Sequence, residues 1–272
     1  MDKGMILQES ELVPYHLSPP PGERVAVLAP HPDDETLGCG GTVRLLVEAE
    51  KKVKVLFLTS GERGDPAREV SPGIRCSGPD GGSRVTDYSL MREREAERAL
   101  RVLGVSDYEF LRYPDRGIYE HYQDALERIS GTVQKFSPDT IYAPSMVELN
   151  PDHRAAAALS MDIQGRNMRG PAGGDRAAPV TLVFYEVTTP LRPNVLVDIT
   201  SVYGKKKRAM KRYGSQQRVT DYLGHITALN TIRALTVNGP RYVEAFWSSD
   251  RPLSGEDIAQ WLSYRETLGS RG

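Results

Sequence analysis

Short apolar runs of strand length recur along this chain, each followed by a stretch of helical periodicity, and this alternation narrows the fold more than any other feature. "RVAVLAP", beginning at Arg24, is a β-branched run that stops at Pro30, and "TVRLLVEAEKK" carries Val43, Leu46 and Val47 at the i, i+3, i+4 spacing of a helix. "VKVLFLTS" then reads as a second buried strand. Strand, helix and buried strand make a βαβ unit, in which the strands are parallel and the crossover is right-handed. The alternation continues through the helix "LMREREAERALRVLGV", the strand "YEFLRY", the helix "QDALERISGTVQKF", the strand "TIYAPS" and the helix "DHRAAAALSMDIQ". It predicts an α/β fold with a Rossmann-like, doubly wound, mainly parallel sheet and helices on both faces. Beyond it come the strands "VTLVFYEV", "NVLVDIT" and "RYVEAFWS" and the helices "GKKKRAMKRY", "TDYLGHITALNTIRAL" and "GEDIAQWLSYRETL", read as C-terminal additions to a single domain over residues 23–272. Residues 1–22 are polar and end in "SPPPGE", which predicts a surface arm. Two long glycine-containing loops, residues 61–87 and 165–179, interrupt the pattern; loops of that length in a compact domain are usually lids, binding loops or disordered segments.

Composition narrows the class of partner. With 35 basic and 36 acidic residues the net charge is −1, so no global field draws the chain to nucleic acid or to an anionic membrane. The cluster from Lys205 to Lys211 lacks interleaved aromatics and is read as a solvated helix face. Two cysteines, Cys39 and Cys76, are too few for a disulfide framework and fit a reducing compartment. No segment reaches the roughly 20 apolar residues of a membrane span, and the N-terminus has no apolar core of a signal peptide; the expectation is a soluble, cytoplasmic protein.

The chemistry concentrates in "VLAPHPDDETLGCGG", Val27 to Gly41, where a strand ends. In an open α/β sheet, ligands bind outside the carboxyl ends of the strands. His31 and Asp34, three residues apart on a turn stiffened by Pro32, can meet one divalent ion through an imidazole nitrogen and a carboxylate oxygen. Asp33 between them would be an unliganded carboxylate beside a metal, where a general base stands. The competing reading is that Asp33, Asp34 and Thr36 only cap the helix that follows. A third ligand must come from another strand end, and "NPDH" after "TIYAPS" offers His153. The set His31, Asp34 and His153 would leave a position open for water, as catalytic zinc sites require. His16, His121 and His225 lie in the arm, in a loop and in an amphipathic helix, and Cys39 reads as a small packing residue. "LGCGGT" resembles a dinucleotide-binding turn, but the third glycine of G-x-G-x-x-G is missing.

With "PHPDDETLGCGG", "REREAERALRVLG", "NPDHRAA" and "KKKRAMKRYGSQ" in this order, the chain resembles the LmbE-like, or PIG-L, family of zinc-dependent N-acetylglucosaminyl deacetylases. The resemblance implies a Rossmann-like fold and one Zn2+ per chain. It implies removal of an N-acetyl or related N-acyl group from a small-molecule amino sugar or glycoconjugate, and it raises the expectation of a trimer or hexamer. By this resemblance His31, Asp34 and His153 are the zinc ligands and Asp33 the general base. Arg92 and Asp115, in "YPDRG", match substrate-binding residues. One departure stands out: many relatives have a histidine where this chain has Asn150, which can donate a hydrogen bond to an oxyanion but cannot shuttle a proton. Two other readings stay open, a Rossmann-type nucleotide-binding oxidoreductase and a catalytically inactive sugar-binding relative.

Overall fold

The run at Arg24 becomes the centre of a seven-stranded sheet. A computed structural model of the protein describes residues 16–64, 87–168, 180–235, 237–255 and 258. Its strands are β1 (Arg24–Ala29), β2 (Lys52–Thr59), β3 (Asp107–Tyr113), β4 (Thr140–Pro144), β5 (Thr181–Tyr185), β6 (Val195–Asp198) and β7 (Val243–Ser249), in the order β3-β2-β1-β4-β5-β7-β6. The first five are parallel, as the βαβ reading expects; β7 inserts antiparallel between β5 and β6.

Strand β1 reads as an unbroken apolar run because both its faces are covered. Val25, Val27 and Ala29 enter one core layer, whereas Ala26 and Leu28 enter the other, by the two-residue period of a strand. Helices α1 (Asp34–Glu48), α2 (Asp87–Leu103) and α5 (Tyr203–Met210) fill the first layer with Leu46, Leu100 and Met210. Helices α3 (Tyr122–Phe136) and α4 (Pro151–Met168) fill the second with Ile129 and Leu159. Two further helices, α6 (Gly214–Gln217) and α7 (Tyr222–Ala234), follow α5. The strand order reverses between β1 and β4, and that junction is where an open α/β sheet parts to admit a ligand.

Several expectations change in detail. Helix α1 begins at Asp34 and takes in the glycine cluster that the sequence reading set ahead of it. Those glycines serve packing: a Cβ on Gly38 would lie 2.1 Å from the Tyr185 ring and one on Gly41 2.7 Å from Ile199. Close packing against Tyr185 and Ile199 therefore accounts for these glycines without a dinucleotide, and nothing in the fold adds support to the oxidoreductase reading. Replacing Gly38 with alanine forces the buried ring to move, and a loss of about 1–3 kcal/mol is expected in chemical denaturation. The basic cluster is solvated only in part, because Lys206 is fully buried. The short helix α6 was not foreseen. Of the arm, Leu17 bridges Leu196 in β6; residues 1–15 lie outside the described residues, as do 65–86 and 169–179 of the two loops, Cys76, and all but positions 255 and 258 of the last expected helix. No helix among the described residues is long and apolar enough to cross a membrane.

Candidate metal centre and active site

The turn after β1 sets His31, Asp33 and Asp34 at the sheet's switch point, and the loop after β4 brings Glu148 to His153 to the same place. Asp34 Oδ2 lies 3.1 Å from His31 Nδ1 and 3.2 Å from His153 Nε2, and it also accepts the His31 backbone N–H at 2.9 Å. All three side chains are buried. Two imidazole nitrogens and a carboxylate oxygen converging at these separations are a donor set that one divalent ion fits, with metal–ligand distances of about 2.0–2.2 Å.

The far nitrogens of both rings lie against carboxylates. His31 Nε2 lies 3.3 Å from both Asp115 Oδ1 and Asp152 Oδ2, and His153 Nδ1 lies 3.4 Å from Glu148 Oε2. His31, Asp115 and Asp152 also meet as a possible ligand cluster. They share His31 through the nitrogen opposite Asp34, so they read as the outer support of that ring.

The helix-cap reading fails on geometry. Asp33 occupies the N-cap position of α1 but its side chain makes no cap hydrogen bond. Its carboxylate instead accepts from Arg92 Nη2 at 3.0 Å. The residue sits at φ +134°, a region that L-residues rarely adopt and that costs on the order of 1–3 kcal/mol. That backbone is secured by the Asp33 N–H donating to Glu35 Oε2 at 3.2 Å and by Arg92 donating to the carbonyls of Pro32 and Gly61.

Burial and neighbouring charge set the protonation equilibria of these side chains. Burial pushes the Asp33 carboxyl up to about 7, with Arg92 opposing and the Asp34 charge adding to the shift. Burial likewise raises Glu35 to about 7, against hydrogen bonds from Thr36 and Tyr213. Asp34 goes the other way: burial would raise it, but His153 and His31 together hold it far below the usual carboxylate range. Burial would lower His153, but the charge and proximity of Asp34 together with Glu148 raise it to about 9. His31 is raised too, against burial, chiefly by Asp115.

The structure therefore brings together His31, Asp33, Asp34 and His153. It buries the two residues matched to substrate contacts: Arg92 on Asp33, and Asp115 between His31 and the Arg63 N–H, which it accepts at 3.0 Å. Asn150 caps α4, its Oδ1 accepting the Asp152 N–H at 2.8 Å. Sequence reasoning left Glu35 either turned outward or anchoring a ligand, and gave Tyr213 and Glu148 no role. Glu35 is wholly buried and accepts the Tyr213 hydroxyl at 2.5 Å; "YGSQ" was visible, but nothing in one sequence says that its tyrosine meets the first motif. Cys39 is buried and donates to the Glu35 carbonyl at 3.3 Å, and His225 contacts the Val187 carbonyl at 2.7 Å, as packing residues do.

Known proteins share this arrangement's scaffold. The family described as PIG-L, GlcNAc-PI de-N-acetylase, matches residues 26–164, just over half of the chain. Diacetylchitobiose deacetylase of Thermococcus kodakarensis is 27% identical over 71% of this chain and 70% of its own. 4-Oxalmesaconate hydratase of Pseudomonas putida is 25% identical over 79% and 82%. Among solved structures, the conserved protein TT1542 from Thermus thermophilus superposes with a TM-score of 0.66 at 26% identity, over 85% of this chain and 96% of that one.

Proposed function

The chain belongs to the PIG-L family, and from that premise we propose that it is a zinc-dependent hydrolase removing an N-acetyl or related N-acyl group from an amino sugar or glycoconjugate. The observation that carries this reading is the convergence of His31, Asp34 and His153 beside Asp33, a carboxyl that the ligand set does not need. When bound, the ion would supply Lewis acidity toward the acyl carbonyl and acidify a water. Asp33 takes the proton of the attacking water, held in orientation by the Arg92 guanidinium. The Asn150 amide has its oxygen engaged on α4, which leaves its Nδ2 as the donor for the developing oxyanion. Because an amide cannot release a proton at neutral pH, Asp33 also returns the proton to the departing amine. Arg92 and Asp115 meet a sugar hydroxyl only where their present buried contacts open.

The test is acetate release over a panel of free N-acetylglucosamine, diacetylchitobiose, thiol-conjugated glycosides and nucleotide sugars. Release from at least one member is expected, lost on chelation and restored by zinc. Two other outcomes would overturn the reading. One is silence across the panel together with hydration of 4-oxalmesaconate, the compound named for the Pseudomonas relative. The other is saturable glycan binding without product, which would favour an inactive sugar-binding protein.

A further inference from the structure

We propose that Glu148 is a positioning residue for the metal ligand His153, holding its Nδ1–H so that the Nε2 lone pair faces Asp34 and the ion; this rests on the metal-dependent reading above. Glu148 is 1% exposed, and its Oε2 lies 3.4 Å from His153 Nδ1. That buried nitrogen has no hydrogen-bond partner among the described residues, and the Glu148 carboxylate is the acidic group set against it. A neutral imidazole carries one proton, and the nitrogen that keeps it cannot ligate. An acceptor on Nδ1 therefore selects the tautomer whose Nε2 is free, and a carboxylate there also makes the ring a stronger ligand.

The carboxylate is itself fixed from outside the loop that bears it. The chain leaving β5 presents three consecutive N–H groups to it: Oε1 accepts from Val187 at 2.7 Å, Thr188 at 3.1 Å and Thr189 at 3.1 Å. Oε2 accepts the Thr188 hydroxyl at 2.6 Å and shares the Thr188 N–H at 3.1 Å. The Val187 carbonyl is pinned in turn by His225 of α7. One oxygen thus belongs mainly to the strap over residues 187–189, while the other faces the ring.

This division makes Glu148→Gln a sharp substitution. The glutamine must keep its carbonyl oxygen on the three strap N–H groups, since reversing it would set its NH2 against them. Its NH2 then faces His153 Nδ1, a donor where an acceptor stood, and favours the tautomer with the wrong nitrogen free. The experiment is a cobalt(II) titration followed by visible absorption, with thermal melting of the metal-free proteins, for wild type, Glu148→Gln and Thr188→Val. Cobalt affinity is expected to fall roughly 10–100-fold in Glu148→Gln, with a weaker absorption band and little change in the metal-free midpoint. Thr188→Val removes the hydroxyl bond to Oε2 but keeps the three strap N–H groups that hold Oε1, so the carboxylate still faces His153 and the variant should bind cobalt as wild type does. Wild-type affinity in Glu148→Gln, or an equal loss in both variants, would overturn the assignment. A wild-type protein that takes up no cobalt would instead overturn the metal reading itself, and the assignment with it.

Discussion

Replacing Asp33 with asparagine is expected to lower turnover on an N-acetylated substrate by at least about two orders of magnitude while metal content stays at the wild-type level. General-base catalysis by a positioned side chain is worth roughly 10²–10⁴-fold. Here one carboxyl is asked to move the proton twice, because Asn150 cannot. The asparagine keeps the shape of Asp33 and can still accept from Arg92, so His31, Asp34 and His153 are not disturbed. It cannot take a proton from water. Metal analysis and steady-state kinetics on the same preparation separate the two effects. Nearly full activity would remove Asp33 from its role; lost metal would make it a part of the ligand set. Some loss of stability should accompany the change, since Arg92 is buried and its charge would lose its partner.

The second large effect lies away from the site. Lys206→Met is expected to destabilise the fold by about 3–5 kcal/mol, because removing one partner of a buried ion pair leaves the other charge uncompensated. Lys206 Nζ lies 2.7 Å from Glu244 Oε1, and both side chains are wholly excluded from solvent. The pair has a specific task. Helix α1 leaves helical geometry at Cys39 (φ −136°, ψ 17°), where an unbroken helix would pair the Leu37 carbonyl with the Gly41 N–H. Lys206 donates to the Leu37 carbonyl at 2.8 Å, and Glu244 accepts the N–H groups of Gly41 at 2.8 Å and Thr42 at 2.7 Å. A helix from the βαβ core is thereby stapled to α5 and to β7. Urea denaturation at fixed metal concentration measures the loss; a change below about 1 kcal/mol would mean that the kink is satisfied some other way.

Much of the scaffold was legible in the sequence because its rules are local. The run Arg24–Ala29 announces a strand buried on both faces, and the helical spacing after it announces the crossover; parallel strands and a ligand site at their carboxyl ends follow from chain geometry alone. His31 and Asp34, three residues apart, could be paired on paper for the same reason. His153 followed because "NPDH" sits at a second strand end of the same kind.

What the sequence could not carry is every contact that the sheet order creates. Only the adjacency of β1 and β4 decides that His153 Nε2 comes 3.2 Å from Asp34, which separates a group that could hold a metal from a helix cap. Only the packing of α2 against that turn turns Arg92 inward onto Asp33, and only the chain leaving β5 fixes Glu148 behind His153. The glycines that looked like a phosphate loop are packing residues because Tyr185 and Ile199 arrive from β5 and the end of β6. Lys206 looked like one of a run of solvated cations; it is buried because a helix kink more than 160 positions away leaves a carbonyl without its helical partner. Periodicity and motif spacing thus determined the fold class and the identity of the metal-binding residues as candidates, since both depend on near neighbours in the chain. Which ring nitrogens converge on Asp34, which carboxyl stays outside that group and which charges are buried were decided by the tertiary structure, because each depends on groups that meet only after strands distant in sequence have paired.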